Sequence, residues 1–226
     1  MTAAAEMRFQ ASRSSGEVSA LLERPDSARW LMVLGHGAGA GMRHRFMESA
    51  AAALAGHGIA TFRYQFPYVE NRTSRPDPQP VLLATVHSAV AAARAAAGGL
   101  PLLAGGKSMG GRMTSLAFAK EAMPGVKGIV FFGFPLHRAG EPATERAEHL
   151  ERVTAPMLFL QGTRDKLADL ELLRPVIGRL GERAALHVVE GADHSFEVLK
   201  RSGRSPDDVL EELAQTVATW AGRITP

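Results

Sequence analysis

The stretch Gly106-Lys107-Ser108-Met109-Gly110 decides the fold of this chain. It reads G-x-S-x-G, follows the apolar run Leu100–Ala104 and precedes the helical pattern Arg112–Ala119. A serine on a sharp turn between a strand and a helix is typical of a nucleophile elbow. Its glycines lack a Cβ and let strand and helix approach closely. The N–H of Met109, at the start of the helix, is placed to donate to a developing oxyanion. The motif therefore predicts that Ser108 is a nucleophile.

The same residues also match the end of a phosphate-binding loop, G-x-x-x-x-G-K-[ST]. That loop needs a glycine at position 101, where this chain has Pro101. The first turn of the phosphate cradle is therefore missing, which argues against phosphate binding here. Lys107 is then predicted to be a solvated neighbour of Ser108.

Predicted strands and helices alternate along the chain, after an opening hairpin around Ser14-Ser15-Gly16. The predicted strands cover Met7–Ala11, Glu17–Glu23, Trp30–Leu34, Ile59–Arg63, Leu100–Ala104, Val126–Phe132, Met157–Leu160 and Ala185–Val189. The predicted helices cover Arg45–Ala55, Val81–Ala97, Arg112–Ala119, Thr144–Val153, Leu170–Leu180 and Asp207–Trp220. This order predicts an α/β fold, with a mainly parallel sheet of about 7–8 strands. Helices should cover both faces, as a three-layer αβα sandwich in one domain over residues 1–226.

Composition narrows the class of protein. The chain has 226 residues, of which 46% are hydrophobic and 22% charged, as in ordinary soluble proteins. The net charge is +3 and the arginines are spread along the sequence, so no nucleic-acid partner is expected. The chain has no cysteine, which excludes disulfides, thiolate metal sites and a cysteine nucleophile. Met1–Arg8 lacks the apolar core of a signal peptide and no apolar run is long enough to span a membrane, so a cytoplasmic location is expected.

Two more chemistry-bearing side chains follow predicted strands. Asp165 is the first acid after Met157–Leu160, and His194 lies in the loop after the last strand. In an α/β sheet the carboxyl ends of the strands meet at one edge, where ligands bind. Ser108, Asp165 and His194 also occur in the order Ser…Asp…His, the order expected for a G-x-S-x-G serine in this fold. His194 is thus predicted to act as the general base, with Asp165 orienting its ring. Asp193 is a rival acid, but it adjoins His194 and would reach the ring less easily.

A glycine-rich loop, Gly35–Gly41, follows the strand Trp30–Leu34. One interpretation makes it the second half of an oxyanion hole, with the Ala38 amide as donor and His36 ordering the loop. Another is dinucleotide binding, because Gly35-x-Gly37-x-x-Ala40 fits the loose G-x-G-x-x-G/A fingerprint. The next strand ends without the acid that would bind a ribose, although Arg63 would suit a 2′-phosphate.

With these residues in view, the chain resembles the α/β-hydrolase superfamily over essentially its whole length. It is most similar to small, cap-less, dienelactone-hydrolase-like members. The resemblance is carried by the elbow, the oxyanion loop, the acid strand and the histidine loop, which are Gly106–Gly111, Leu34–Gly39, Pro156–Asp165 and Gly191–Phe196. Dienelactone hydrolases use a cysteine nucleophile, which this chain lacks. The resemblance therefore implies the fold and a serine hydrolase, not that lactone substrate.

Together these features predict a serine hydrolase that cleaves a carboxylic ester of a small-molecule acyl substrate, without cofactor or metal. A thioesterase or a peptidase is the alternative within the fold. A non-catalytic binding or scaffold protein is the alternative outside enzymes, because this fold also occurs in a hydrolase-like domain of a chromatin complex. The short segment Pro135–Ala155 leaves little room for a lid, which favours small or accessible substrates. The aromatic residues near strand ends are expected either to line an acyl pocket or to pack in the core: Phe66, Tyr68, Phe134 and Phe196.

Overall fold

The computed structural model describes residues 4–224, so residues 1–3 and 225–226 of the predicted domain lie outside the described part. Its centre is one eight-stranded sheet with strand order β1-β2-β4-β3-β5-β6-β7-β8. The strands are β1 (Ala5–Ser12), β2 (Gly16–Glu23), β3 (Trp30–Gly35), β4 (Ile59–Tyr64), β5 (Leu102–Lys107), β6 (Val126–Phe132), β7 (Met157–Gly162) and β8 (Ala184–Val189). Strand β2 runs antiparallel to both of its neighbours, β1 and β4, and all other neighbouring pairs of this sheet are parallel. The predicted mainly parallel sheet is therefore confirmed.

Helices cover both faces of this sheet. They are α1 (Arg45–Gly56), α2 (Pro67–Glu70), α3 (Gln79–Ala96), α4 (Met109–Lys120), α5 (Leu170–Leu180) and α6 (Pro206–Arg223). Helices α1 and α6 pack on one face, and α3, α4 and α5 pack on the other. This arrangement confirms the three-layer sandwich.

Strand β3 shows why its sequence is apolar throughout. Side chains alternate between the two faces of a strand. Leu31 and Val33 join the core under α3 and α4, whereas Met32 and Leu34 join the core under α1 and α6. Both faces are buried, so no position in the strand favours a polar residue.

Three local predictions differ from the structure. The helix predicted over Thr144–Val153 is a 3₁₀ helix over Glu145–Arg152, whose buried Ala147 and Leu150 lie three residues apart, the repeat of a 3₁₀ turn. The elbow strand was predicted to end at Ala104, but β5 continues to Lys107, because its two glycines still pair with β6. The short helix α2 was not predicted; it begins at Pro67, which suits a first helical position.

The segment between β6 and β7 forms no cap over the sheet edge. Residues 133–156 contain the 3₁₀ helix Glu145–Arg152 and otherwise loops and turns. Two shorter 3₁₀ helices, Gly181–Arg183 and Lys200–Ser202, lie later in the chain. Across residues 4–224, no helix combines the length and the hydrophobicity that crossing a bilayer requires.

Candidate active site

Ser108 lies at the turn between β5 and α4, in a strained backbone conformation. Its φ is 50° and its ψ is −113°, a region that non-glycine residues rarely adopt. The turn is tied to the sheet because the Ser108 N–H donates to the Phe132 carbonyl over 3.1 Å. A Cβ added at either Gly106 or Gly110 would lie 2.2 Å from the carbonyl oxygen of Gly35. Only glycine fits at these two positions, which explains the flanking residues of the motif.

The structure brings the three predicted side chains into one hydrogen-bonded row. The Ser108 Oγ lies 2.9 Å from the His194 Nε2, and the His194 Nδ1 lies 2.7 Å from the Asp165 Oδ2. The carboxylate can only accept, so Nδ1 carries the proton and Nε2 is free to accept from the serine hydroxyl. This is the tautomer that a general base needs.

Asp165 is buried, and its carboxylate is oriented by more than the histidine. The Oδ1 accepts from the Leu167 N–H over 2.8 Å, and the Oδ2 also accepts from the Gln161 Nε2 over 2.5 Å. Gln161 is itself oriented, because its Oε1 accepts from the Phe134 N–H over 3.0 Å. Gln161 was not predicted as a site residue, although a polar side chain in the otherwise apolar, buried strand β7 is a signal for one.

Asp193, the rival acid, has a different task. Its Oδ1 accepts from the N–H groups of Ser195 and Glu197, over 2.8 and 3.0 Å. Phe196, between those two residues, has a φ of 65°. Asp193 therefore holds the tight loop that carries His194, while Asp165 contacts the imidazole.

The loop after β3 lies against the elbow. A Cβ added at Gly37 would lie 3.8 Å from the Ser108 Cβ. His36 orders this loop as predicted: its Nδ1–H donates to the Gly37 carbonyl over 2.8 Å, and its Nε2 accepts from the Phe66 N–H over 3.1 Å. Burial lowers the pKa of His36 to about 4, so the ring is neutral near pH 7. Ala38, the next residue of the loop, is exposed. Met109 is the first residue of α4, where main-chain N–H groups have no acceptor within the helix.

Lys107 and Arg63 have different surroundings from those that the sequence suggested. Lys107 is half-buried instead of fully solvated: its Nζ donates to the main-chain carbonyl of His194 over 2.5 Å, and burial lowers its pKa to about 8. Arg63 is buried and pairs with Glu23 over 3.1 Å, while also donating to the Met42 carbonyl. Dinucleotide binding depended on a guanidinium of Arg63 that could bind a 2′-phosphate. The ion pair with Glu23 already engages that guanidinium.

A cavity of about 360 Å³ lies beside Ser108 and His194. The loop residues 37–40 form one wall, and the side chains of Phe46, Met47 and Leu167 supply apolar surface. Of the two alternatives for the aromatic residues near strand ends, the structure supports packing in the core, where these are buried: Phe66, Tyr68, Phe134 and Phe196. Within residues 4–224, no three His, Cys, Asp or Glu side chains are grouped so as to hold a metal ion.

Comparison with protein families agrees with this geometry. A family model described as an alpha/beta hydrolase domain matches residues 28–222. The chain therefore belongs to the α/β-hydrolase family, and its uncovered sheet edge makes it a cap-less member.

Solved structures share the fold across nearly the whole chain. XC6422 of Xanthomonas campestris, described as a serine hydrolase without a lid, has a TM-score of 0.74 at 19% identity, covering 100% of this chain and 97% of that one. A dienelactone hydrolase of Anabaena variabilis has a TM-score of 0.74 at 20% identity, covering 98% and 99%. Est1E of Butyrivibrio proteoclasticus has a TM-score of 0.72 at 16% identity, covering 99% of both chains. Together with the family match, these likenesses support a hydrolase.

Proposed function

We propose that this protein is a serine hydrolase that cleaves carboxylic esters of small acyl groups. The observation that carries the proposal is the hydrogen-bonded row Ser108–His194–Asp165, which meets the requirements of an activated serine nucleophile. Two structural neighbours described as esterases support the ester substrate. The cavity beside Ser108, about 360 Å³ in volume, suits a small acyl chain.

The mechanism follows from the positions of the atoms. Ser108 Oγ attacks the ester carbonyl while His194 Nε2 takes the hydroxyl proton, and Asp165 stabilises the resulting imidazolium. The main-chain N–H groups of Ala38 and Met109 donate to the carbonyl oxygen as it becomes negative. The imidazolium then protonates the departing alcohol, leaving an acyl group on Ser108. Water, deprotonated by His194, releases the acid. No step requires a cofactor or a metal.

Replacement of the nucleophile tests this proposal. Ser108→Ala should lower kcat for short p-nitrophenyl esters by about 10⁶-fold, because no other hydroxyl contacts His194 Nε2 among the described residues. Ser74→Ala is the matched control: it removes an exposed serine hydroxyl that does not line this cavity, and it should leave kcat unchanged. Labelling of Ser108 by a fluorophosphonate probe should be lost only in the first variant. A folded Ser108→Ala protein that keeps a tenth of the wild-type rate would end the proposal.

The same enzyme preparation separates the alternatives. Butyrate presented as an ester, a thioester and an anilide differs only in its leaving group. An ester hydrolase should turn over the ester fastest, a thioesterase the thioester and a peptidase the anilide. Wild-type protein that is folded but neither hydrolyses these substrates nor reacts with the probe would favour the non-catalytic scaffold.

A further inference from the structure

Lys107 precedes the proposed nucleophile in the chain, yet its side chain reaches the loop of the proposed base. Its ammonium donates to the main-chain carbonyl of His194 over 2.5 Å. Lys107 is the last residue of β5, so its side chain links this strand to His194, the residue that contacts Ser108.

Two aromatic rings and a glycine surround the Lys107 ammonium. Nζ lies 5.7 Å from the ring centroid of Phe46 and 5.5 Å from that of Phe196, both within cation–π range. These two rings stack on each other at 5.9 Å, with 18° between their planes. A Cβ added at Gly133 would lie 3.1 Å from Nζ and 3.4 Å from the His194 ring. Glycine at this position leaves room for both groups.

Building on the proposed function, we propose that Lys107 is a positioning residue that fixes the His194 main chain relative to Ser108. The Asp193 bonds are internal to the loop, and the bond from the Arg164 N–H to the Ala192 carbonyl, 2.8 Å, ties the loop to the segment after β7. Those bonds preserve the shape of the loop but do not set its distance from the elbow. The Lys107 contact sets that distance. A displacement of about 1 Å in a reacting group can lower a rate by roughly 10²-fold.

The charge of Lys107 makes this contact sensitive to pH. Burial lowers its pKa to about 8, while the charges of Asp165 and Asp193 oppose that change. His194, which faces it from the same loop as Asp193, is neutral when it acts as the base. At pH 7 the ammonium is intact. Above about pH 8 the neutral amine loses its attraction to the two rings, and its hydrogen bond to the carbonyl weakens. The hydrolysis rate should therefore fall on the alkaline side.

The variant Lys107→Met tests the proposal, because it keeps an apolar chain against the rings and removes the donor and the charge. We expect kcat to fall roughly 10- to 100-fold, with KM changed by less than about threefold, and the alkaline limb near pH 8 to disappear. The control Lys127→Met, at an exposed position of β6, should match the wild type. Circular dichroism and a melting curve should show that the variant is folded at the assay temperature, so that a lower kcat reports the position of His194 and not unfolding.

A spectroscopic measurement on the wild type needs no variant. The low-field NMR resonance of the His194 Nδ1–H reports its bond to Asp165, and it should move or broaden as the pH rises from 7 to 9. A resonance that stays unmoved over this range, or a Lys107→Met enzyme with wild-type kcat and pH profile, overturns the inference. Neither result touches the proposed function, which fails separately if the wild type shows no hydrolysis and no labelling of Ser108.

Discussion

At the scale of single residues, Asp165 is the most constrained member of the site. It is 6% exposed, and its carboxylate accepts hydrogen bonds from three donors: the His194 Nδ1, the Gln161 Nε2 and the Leu167 N–H. A carboxylate meets every one of these donors, whereas a side chain that itself donates would face at least one of them without an acceptor. An acid at position 165 therefore both satisfies these buried donors and keeps the proton of His194 on Nδ1.

Replacing the two neighbouring acids by amides should distinguish their tasks. Asp165→Asn should lower kcat by roughly 10⁴-fold, because an amide nitrogen facing Nδ1 favours the wrong histidine tautomer. Asp193→Asn should change kcat little, since the asparagine Oδ1 can still accept from the N–H groups of Ser195 and Glu197. The measurement is steady-state kinetics on variants shown to be folded. A greater loss in Asp193→Asn than in Asp165→Asn would mean that the acid is wrongly assigned.

Motif and chain order predicted the row of Ser108, Asp165 and His194, because the ends of parallel strands must meet at one edge. Side-chain direction was not predictable in the same way. Lys107 reads as solvated, since nothing local indicates that it turns under the histidine loop. Phe134 follows a strand and suits a pocket equally well, yet it packs in the core against Phe131 and Phe159. Such choices depend on contacts between residues far apart in the chain.

At the scale of elements, two buried histidines stabilise segments around the site. His36 ties the loop after β3 to Phe66 at the start of α2. His149, on the 3₁₀ helix Glu145–Arg152, shares a 2.8 Å hydrogen bond with the Ser115 hydroxyl of α4. The pKa of each is lowered to about 4, by burial in both cases and, for His149, also by the charges of Arg112 and Arg152. Both rings are therefore neutral in the folded protein near pH 7.

This neutrality should make the fold sensitive to acid. An unfolded histidine binds a proton below about pH 6.5, while these two stay unprotonated in the folded state until about pH 4. The unfolded state thus binds more protons between these limits, and stability falls as the pH drops through them. From pH 7 to pH 5 the free energy of unfolding should decrease by about 2 kcal/mol for each histidine. Urea unfolding at the two pH values measures the change.

His149→Phe isolates one of these contributions. The phenyl ring has no proton to bind, and the Ser115 hydroxyl retains the Arg112 carbonyl as an acceptor over 3.0 Å. The free energy of unfolding falls between pH 7 and pH 5, and in the variant this fall should be smaller by about 2 kcal/mol than in the wild type. An identical pH dependence in the variant and the wild type would show that His149 is not kept neutral by the fold.

At the scale of the whole molecule, the sheet assembles a site from three distant parts of the chain. Ser108, Asp165 and His194 follow β5, β7 and β8, and the glycine-rich loop Gly35–Gly41 follows β3. These four strands run parallel, so all four loops emerge at the same edge. The alternation of elements was enough to predict this edge from the sequence. The 3₁₀ form of Glu145–Arg152 was not predictable, because the same residues also satisfy a helical repeat.

The uncovered edge has a kinetic consequence. Lipases that shelter their serine under a helical lid wait for an oil–water interface to open it, and such motions can limit the rate. Here residues 133–156 form no cap, and Ser108 is half-exposed. The initial rate of p-nitrophenyl butyrate hydrolysis should therefore depend only on the concentration of dissolved ester and rise to a plateau without a break. Initial rates measured across the solubility limit of the ester should show no jump when droplets form. An abrupt increase there would reveal interfacial activation, and with it a gate that this fold does not display.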